Sequence, residues 1–455
     1  MALRVQVSPS ASDLLFMLTA MKKKSIAVVI VSNGPGELST WVKPVITFLK
    51  KLINESEATD NIDYIFRLIL VPCPNAMGKE HEVARNWNEF QLVHPAKKFW
   101  RLLINPSSFA KWPKTGIVVF LGGDQFWSVL LAKRLGYKNI TYAEWIARWP
   151  RWIDIIAAMN DQVKDKIPKK FKQKCLVIGD LMADIQTNKE KDIKISKQNW
   201  IAILPGSKKT KLSIGIPYFL EVADYLSSKN SDINLMIPMA PTTSIEDYLF
   251  FQSDKNPLAK YYSSKIQTVV KCDSYIFEYL IETNQKTKIY VLNKQPNYEF
   301  LTQCTLAITT LGANTAELAA INLPMIVVLP TQHLNVMNSW DGIFGILGKV
   351  SFINKIQIFI LKRWYLKTKK YFAWPNIKAK KIIIPERIGV IKPQEIAREV
   401  LFLLENKDYL NEQKINLYNQ RGKKGAVKKL AKIIFKTTKN LDDYQGSSIS
   451  LEFDN

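Results

Sequence analysis

Apolar runs of strand length alternate with helical patterns along nearly the whole chain, and that alternation constrains the fold more than any other feature. In the first half the runs are Ile26–Val31, Ile65–Val71, Ile117–Leu121, Asn139–Tyr142 and Cys175–Ile178. In the second half they are Ile201–Leu204, Leu235–Met239, Lys288–Leu292, Leu306–Thr309, Met325–Leu329 and Lys381–Ile384. Strands separated by helices predict parallel, doubly wound α/β sheets. Residues 185–199, IQTNKEKDIKISKQN, are polar and charged and read as a linker. The chain therefore divides into an α/β domain over 25–184, a second over 200–392, helices over 393–437 and a tail over 438–455. Two such domains place the natural ligand site in the cleft between them.

The composition agrees with two globular domains. The chain has 455 residues, 47% hydrophobic and 23% charged, enough for two cores. Lys and Arg total 64 against 40 Asp and Glu, a formal charge of +24, which suits an anionic membrane surface, a phosphorylated substrate or a nucleic acid. No helix-turn-helix, zinc-finger or RNA-recognition pattern accompanies that charge, so nucleic acid is the weaker partner. The four cysteines are scattered and form no metal pattern with His81, His94 and His333; a disulfide framework or zinc site is not expected, and a reducing cytosol fits best. No apolar run reaches the ~18 residues a spanning helix needs. Residues 1–24 are expected to precede the first domain as a disordered leader, and residues 1–20 to be that leader or a start-site artefact, because Met21 opens MKKKSIAVVIVSNGPGE in the manner of a protein start; a signal peptide is the weaker alternative.

Residues 306–330, LAITTLGANTAELAAINLPMIVVLP, read as strand, turn, helix and strand. Gly312, Ala313, Asn314 and Thr315 fall at the helix N-terminus, where free N–H groups and the helix dipole favour a phosphate. Glu317, in the first turn, could accept hydrogen bonds from a ribose. By itself the segment favours the plainer reading, in which Asn314 or Thr315 caps the helix and Glu317 complements its dipole. A second phosphate-type turn, IAILPGSKK at 201–209, shifts the balance towards a ligand.

Taken in order, SNGPGE, LGGDQFWSVLLAKRLG, YAEWIARWPRWID, VIGDLMAD, ILPGSKK, LGANTAELAAINLPMIVV and WPNIKAKKIIIPE resemble lipid-A-disaccharide synthase and its relatives, which are GT-B glycosyltransferases. The resemblance spans about residues 26–405. It implies a GT-B-like fold of two Rossmann-like domains around a cleft, and an inverting transfer of a sugar from a UDP-sugar to a lipid or glycolipid acceptor. It implies no metal and no resident cofactor, the UDP-sugar being a co-substrate. The family's Leu-Pro-Gly-Ser-Arg turn matches Leu204, Pro205, Gly206, Ser207 and Lys208, with lysine in place of the bidentate arginine fork. Its Ser-Gly-Thr-x-Thr-x-Glu element matches at Gly312, Thr315 and Glu317, with Asn314 between them, while Leu311 and Ala313 depart. Its Pro-Asn and Pro-Glu pairs match Pro375–Asn376 and Pro385–Glu386. Gly206, Ser207, Lys208, Gly312, Asn314, Thr315, Glu317, Asn376 and Glu386 are thus the expected nucleotide-sugar residues.

The first domain departs further from the family. The acidic residue of the Gly-rich turn is displaced to Glu37, and of an Asp pair only Asp124 remains, in GGDQF. Inverting transfer needs a general base at the acceptor hydroxyl and donors on the leaving diphosphate. Asp124, just past a buried strand, is the first candidate for the base and Glu37 the second; a turn or capping role reads either residue about as well.

Segments 97–112 and 355–374 interleave Lys and Arg with aromatic and aliphatic residues. Basic groups on anionic headgroups with aromatics at the interface would make Phe99, Trp100, Trp364 and Tyr365 membrane contacts and the protein a peripheral one on the cytoplasmic face of the membrane. A core helix with a lysine-rich solvent face is the competing reading. Two other functions stay open: a different GT-B activity, on a non-lipid acceptor or as a UDP-sugar epimerase, and a non-catalytic protein bound at the membrane surface.

Overall fold

The computed structural model describes residues 24–56, 62–72, 78–185, 199–292, 298–332, 371–420 and 422–441. The first lobe is built on β1 (Lys24–Ser32), β2 (Ile62–Leu70), β3 (Leu92–His94), β4 (Thr115–Phe120), β5 (Lys138–Ala143), β6 (Ile155–Ala158) and β7 (Cys175–Val177). They form one sheet in the order β3-β2-β1-β4-β5-β6-β7, every pair parallel. β1 is buried from Ile26 to Ser32, the near-continuous apolar run of a strand covered on both faces.

The second lobe holds β8 (Asn199–Leu204), β9 (Ile233–Pro238), β10 (Ile266–Lys271), β11 (Tyr279–Thr283), β12 (Lys288–Leu292), β13 (Leu306–Thr310), β14 (Met325–Pro330) and β15 (Glu386–Gly389). Their order is β10-β11-β12-β9-β8-β13-β14-β15. From β12 to β15 every pair is parallel, while β11 runs antiparallel to both neighbours. Both sheets thus have a strand order that reverses beside its first strand, at β1/β4 and at β8/β13. These are two Rossmann-like domains with GT-B-like architecture, and the switch points are where such sheets take ligands.

Four short strands, β3, β6, β10 and β11, lie outside the runs expected from sequence. The strand expected at Lys381–Ile384 forms instead at Glu386–Gly389. Ile383 and Ile384 donate their N–H groups to Asn376 Oδ1, at 2.7 and 3.1 Å, so those groups are withdrawn from a ladder. Pairing with β14 begins only after Pro385, at Glu386.

The helices after residue 392 are Pro393–Glu405, Lys407–Gln420 and Ala426–Asn440. The first packs on the long Lys209–Lys229 helix of the second lobe, and the last returns to the first lobe to pack on Lys43–Asn54. That last helix runs beyond the expected start of the tail: Thr437 and Thr438 are buried within it. One apolar cluster joins Ile30 and Val119 of the first sheet to Leu181, to Leu430 and Ile434 of the last helix, and to Ala316 and Leu318 of the second lobe. No helix among the described residues is long and apolar enough to cross a membrane. The linker expected at 185–199 and the leader fall almost wholly outside the described residues, as do Trp364 and Tyr365.

Candidate active site

Four loops leave the carboxyl ends of the strands that flank the two switch points. From β1 comes Asn33-Gly34-Pro35-Gly36-Glu37, and from β4 comes Leu121-Gly122-Gly123-Asp124. From β8 comes Pro205-Gly206-Ser207-Lys208, and from β13 comes Leu311-Gly312-Ala313.

Glu37 stands where its turn runs into a π-helical turn, Leu38–Val42, that leads to the Lys43–Asn54 helix. Two glycines border its side chain. A Cβ on Gly34 would overlap the Glu37 carboxylate, and one on Gly122 would come within 3.1 Å of its Cβ and Cγ. Burial pushes the Glu37 carboxyl above its ordinary range, and Glu80 adds to this, while its own backbone N–H and the Lys208 ammonium oppose it. Lys208 belongs to the other lobe, so the charge of one Gly-rich turn is felt at the other.

Across the cleft, a Cβ on Gly36 would meet Glu317 Oε1 at 3.3 Å. Glu317 accepts from Tyr298 Oη at 3.2 Å. Burial pushes its carboxyl up to about 7; the Tyr298 bond opposes that shift and Glu37 reinforces it. A third carboxyl, Glu144, follows β5 and accepts from the Trp374 indole N–H at 3.3 Å. Burial raises it to about 7 as well, with contributions from the charges of Asp180 and Glu37 against the Trp374 bond. Asp180 is buried and receives Lys378 Nζ at 3.2 Å, and Lys378 lies 4.5 Å from the centre of the Trp374 ring. The short Trp374–Ala379 helix thus ties the second lobe to Glu144 and Asp180 of the first.

The expected site residues separate into groups. Glu37, Lys208, Gly312 and Glu317 gather at the cleft, with Gly206 and Ser207 in the turn before Lys208. Thr315 Oγ1 donates to Gly312 O at 2.8 Å and accepts from Trp374 N at 3.3 Å, which fixes the turn. Asn314 begins the Asn314–Ala320 helix and is half-buried. Asp124 has partners of its own. It caps the Gln125–Leu135 helix by accepting from Phe126 N at 3.0 Å and pairs with Arg148 at 3.4 Å, its side chain 47% exposed.

Asn376 and Glu386 are engaged with the protein itself. Asn376 is fully buried; its Nδ2 donates to Ile384 O at 2.9 Å and to Glu386 Oε1 at 2.7 Å. Glu386 also accepts from Phe372 N at 3.0 Å and Ala373 N at 2.8 Å. Both brace the approach to the Trp374–Ala379 helix.

Three residues of the site were not singled out from sequence: Glu144, Tyr298 and Lys211. Glu144 follows the end of a strand just as Asp124 does, so the same rule could have found it. Lys211 passes beside Gly206 and ends against Gly312: a Cβ on Gly206 would stand 2.8 Å from Lys211 Cβ, and one on Gly312 would overlap its ammonium.

On the outer side of the first lobe an aromatic run extends from Trp100 through Trp127, Phe126 and Trp149 to Trp152, with successive ring centres 5.0, 5.1, 5.7 and 5.6 Å apart. Trp100 and Trp152 are about half exposed, and Lys97, Lys98, Arg101, Arg148 and Arg151 are exposed beside them. Phe99, expected at the surface with Trp100, is instead fully buried. It packs on Trp127 because the one-turn helix Phe99–Ile104 directs it and Leu102 inward.

No family model matches the chain. Among curated proteins it is similar to the lipid-A-disaccharide synthase of Sulfurihydrogenibium sp., 25% identical over 342 residues that cover 70% of this chain and 76% of the relative. It is also similar to that of Aeromonas hydrophila, 26% identical over 144 residues, 28% of this chain and 38% of the relative. Among solved structures, a candidate UDP-N-acetylglucosamine 2-epimerase from Listeria monocytogenes superposes with a TM-score of 0.53 at 13% identity, covering 94% of this chain and 100% of its own. The S. aureus MnaA–UDP co-structure does so with 0.50 at 11%, covering 93% and 100%. At such identities these two structures speak to the fold. The resemblance read from the motifs is thus shared by curated relatives: the chain is similar to the lipid-A-disaccharide synthases and has a GT-B-like fold.

Proposed function

We propose that the protein is a glycosyltransferase that moves a sugar from a UDP-sugar to a lipid or glycolipid acceptor with inversion at the anomeric carbon. The observation that carries this is the meeting of the two switch points: a Cβ on Gly36, in the β1 turn, would meet Glu317 Oε1, in the helix that follows the β13 turn, at 3.3 Å, and Glu37 feels the charge of Lys208 on the β8 turn. The names of the sequence relatives support the same reading.

In this reading the nucleotide lies on the second lobe at the Gly206 and Gly312 turns, and the acceptor hydroxyl is presented by the first. Glu37, ionised, takes the proton from that hydroxyl. The acceptor oxygen attacks the anomeric carbon, and the bond to the diphosphate breaks with its electron pair going to the leaving UDP. A carboxyl raised by burial is a stronger base than an exposed one. That places Glu37 ahead of Asp124, whose oxygens already serve a helix cap and Arg148. The Lys208 ammonium lies on the donor side, where negative charge develops. The exposed aromatic run and its flanking Lys and Arg residues dock on an anionic membrane surface, which brings the first lobe to a lipid acceptor.

A second reading is a UDP-sugar epimerase, favoured by the three raised carboxyls Glu37, Glu144 and Glu317. Product analysis separates the two. A thermal-shift screen of UDP-sugars identifies the donor, since a ligand bound to the native state stabilises it. UDP release that requires a lipid acceptor supports transfer. Interconversion of the UDP-sugar with no acceptor present supports the epimerase, and the absence of stabilisation by any UDP-sugar removes both.

A further inference from the structure

We propose that Lys211, rather than the motif lysine Lys208, is the cation that grips the diphosphate, and that Thr310 completes its seat; this rests on the nucleotide reading given above. Lys211 is the third residue of the Lys209–Lys229 helix. Side chains on a helix lean towards its N-terminus, so its stem passes back over the Gly206 turn. The clearances record that path. A Cβ on Gly206 would stand 2.8 Å from Lys211 Cβ and 3.0 Å from its Cδ, while one on Gly312 would overlap the ammonium. Gly206 and Gly312 have φ of 102° and 155°, a region that favours glycine. One lysine thus spans the turns that end β8 and β13, at the switch point of the second sheet.

Thr310 supplies an independent sign of a ligand. It is the last residue of β13 and is only 7% exposed. Its Oγ1 is buried with no hydrogen-bond partner among the described residues, and it lies 3.2 Å from where a Gly206 Cβ would be. A buried hydroxyl without a partner calls for one. The Lys209–Lys229 helix has no side-chain cap at its start, and Lys211 lies in its first turn with its stem beside the Gly206 turn that leads into it. A diphosphate at that turn is favoured by the positive end of the helix and by the Lys211 ammonium. Lys208 stands one position before that helix, and its charge is also felt at Glu37 on the opposite lobe.

The test is calorimetry of uridine, UMP and UDP with the wild-type protein and with Lys211→Met, Lys211→Arg, Lys208→Met and Thr310→Val, each melted first to establish that it folds. Methionine keeps most of the stem and removes the charge. Lys211→Met should weaken UDP about 10- to 100-fold and leave uridine nearly unchanged, so that the preference for UDP over UMP collapses. Lys211→Arg should keep that preference, Lys208→Met should reduce it less, and Thr310→Val should lower it by a few fold. A preference for UDP that survives in folded Lys211→Met, or falls further in Lys208→Met, overturns the assignment. Should Lys211→Met not fold, the same preference is read in Thr310→Val, where no change overturns it. A wild-type protein that binds none of the three overturns the nucleotide reading itself, and that is seen before any substitution is made.

Discussion

The indole N–H of Trp374, on the second lobe, donates to Glu144 Oε1 on the first at 3.3 Å. Burial holds the Glu144 carboxyl near 7, and Glu317, enclosed beside Tyr298, lies near 7 for the same leading reason. Between the ordinary 4.5 and about 7 the folded protein keeps protons on these two groups that the unfolded chain gives up. Stability from these groups is therefore full below pH ~4.5 and is lost as the pH rises through ~7. Glu144→Gln keeps an acceptor for Trp374 and removes the titration. Melting curves from pH 5 to pH 8 should show a flatter decline in the variant, which is expected to be more stable than wild type at pH 8 by about 1–3 kcal/mol. Parallel curves would remove Glu144 from the pH dependence.

Glu37→Gln retains the shape of the turn and removes the base. Transfer should fall by about 10²–10⁴ with UDP affinity nearly intact. Asp124→Asn should cost at most about 1 kcal/mol through its helix cap and leave turnover per folded molecule close to wild type. Measured side by side on folded preparations, a reversed order of loss would make Asp124 the base.

Lys378 and Asp180 form an ion pair between the lobes, with side chains 19% and 6% exposed. Lys378→Ala strands a buried carboxylate and removes the cation over Trp374. A loss of about 3–5 kcal/mol is expected in denaturant unfolding, and Lys378→Ala with Asp180→Asn should recover part of it. A double variant no better than the single would show that the pair is not coupled.

Trp100, Phe126 and Trp152 expose rings on one aromatic run. Replacing all three with Ser should reduce sedimentation with anionic vesicles at unchanged net charge, and added salt should release the wild-type protein. Phe99→Ser should act differently. Its ring is fully buried, so the variant should lose about 3–5 kcal/mol of stability. Vesicle binding indifferent to the three exposed rings would leave the run as an outward extension of the core.

The long strands were legible because a strand buried on both faces must be apolar along its length, as β1 and β4 are. The short or edge strands were not. β10 has mostly exposed residues, and β3 has only three. The glycine turns were legible from residue type. The partition of their neighbours was not, because it depends on which side chains the fold sets opposite one another. Asn376 and Glu386 match the family pairs, yet their polar atoms meet each other and the backbone around them. Lys208 and Lys211 are equally basic in sequence. Only the fold shows that Lys211 runs over Gly206 and against Gly312, while the charge of Lys208 is felt at Glu37.

The Ala426–Asn440 helix lies against Lys43–Asn54, covering apolar surface of a lobe whose sheet is complete by Val177. On the ribosome, that surface waits for more than two hundred residues of synthesis before its partner emerges. Domains that can be closed early fold as they leave the exit tunnel; this one is closed by a helix made only after the second lobe. Truncation after Gln420 should therefore damage the first lobe, which is remote in sequence, more than the second, which is adjacent to the cut.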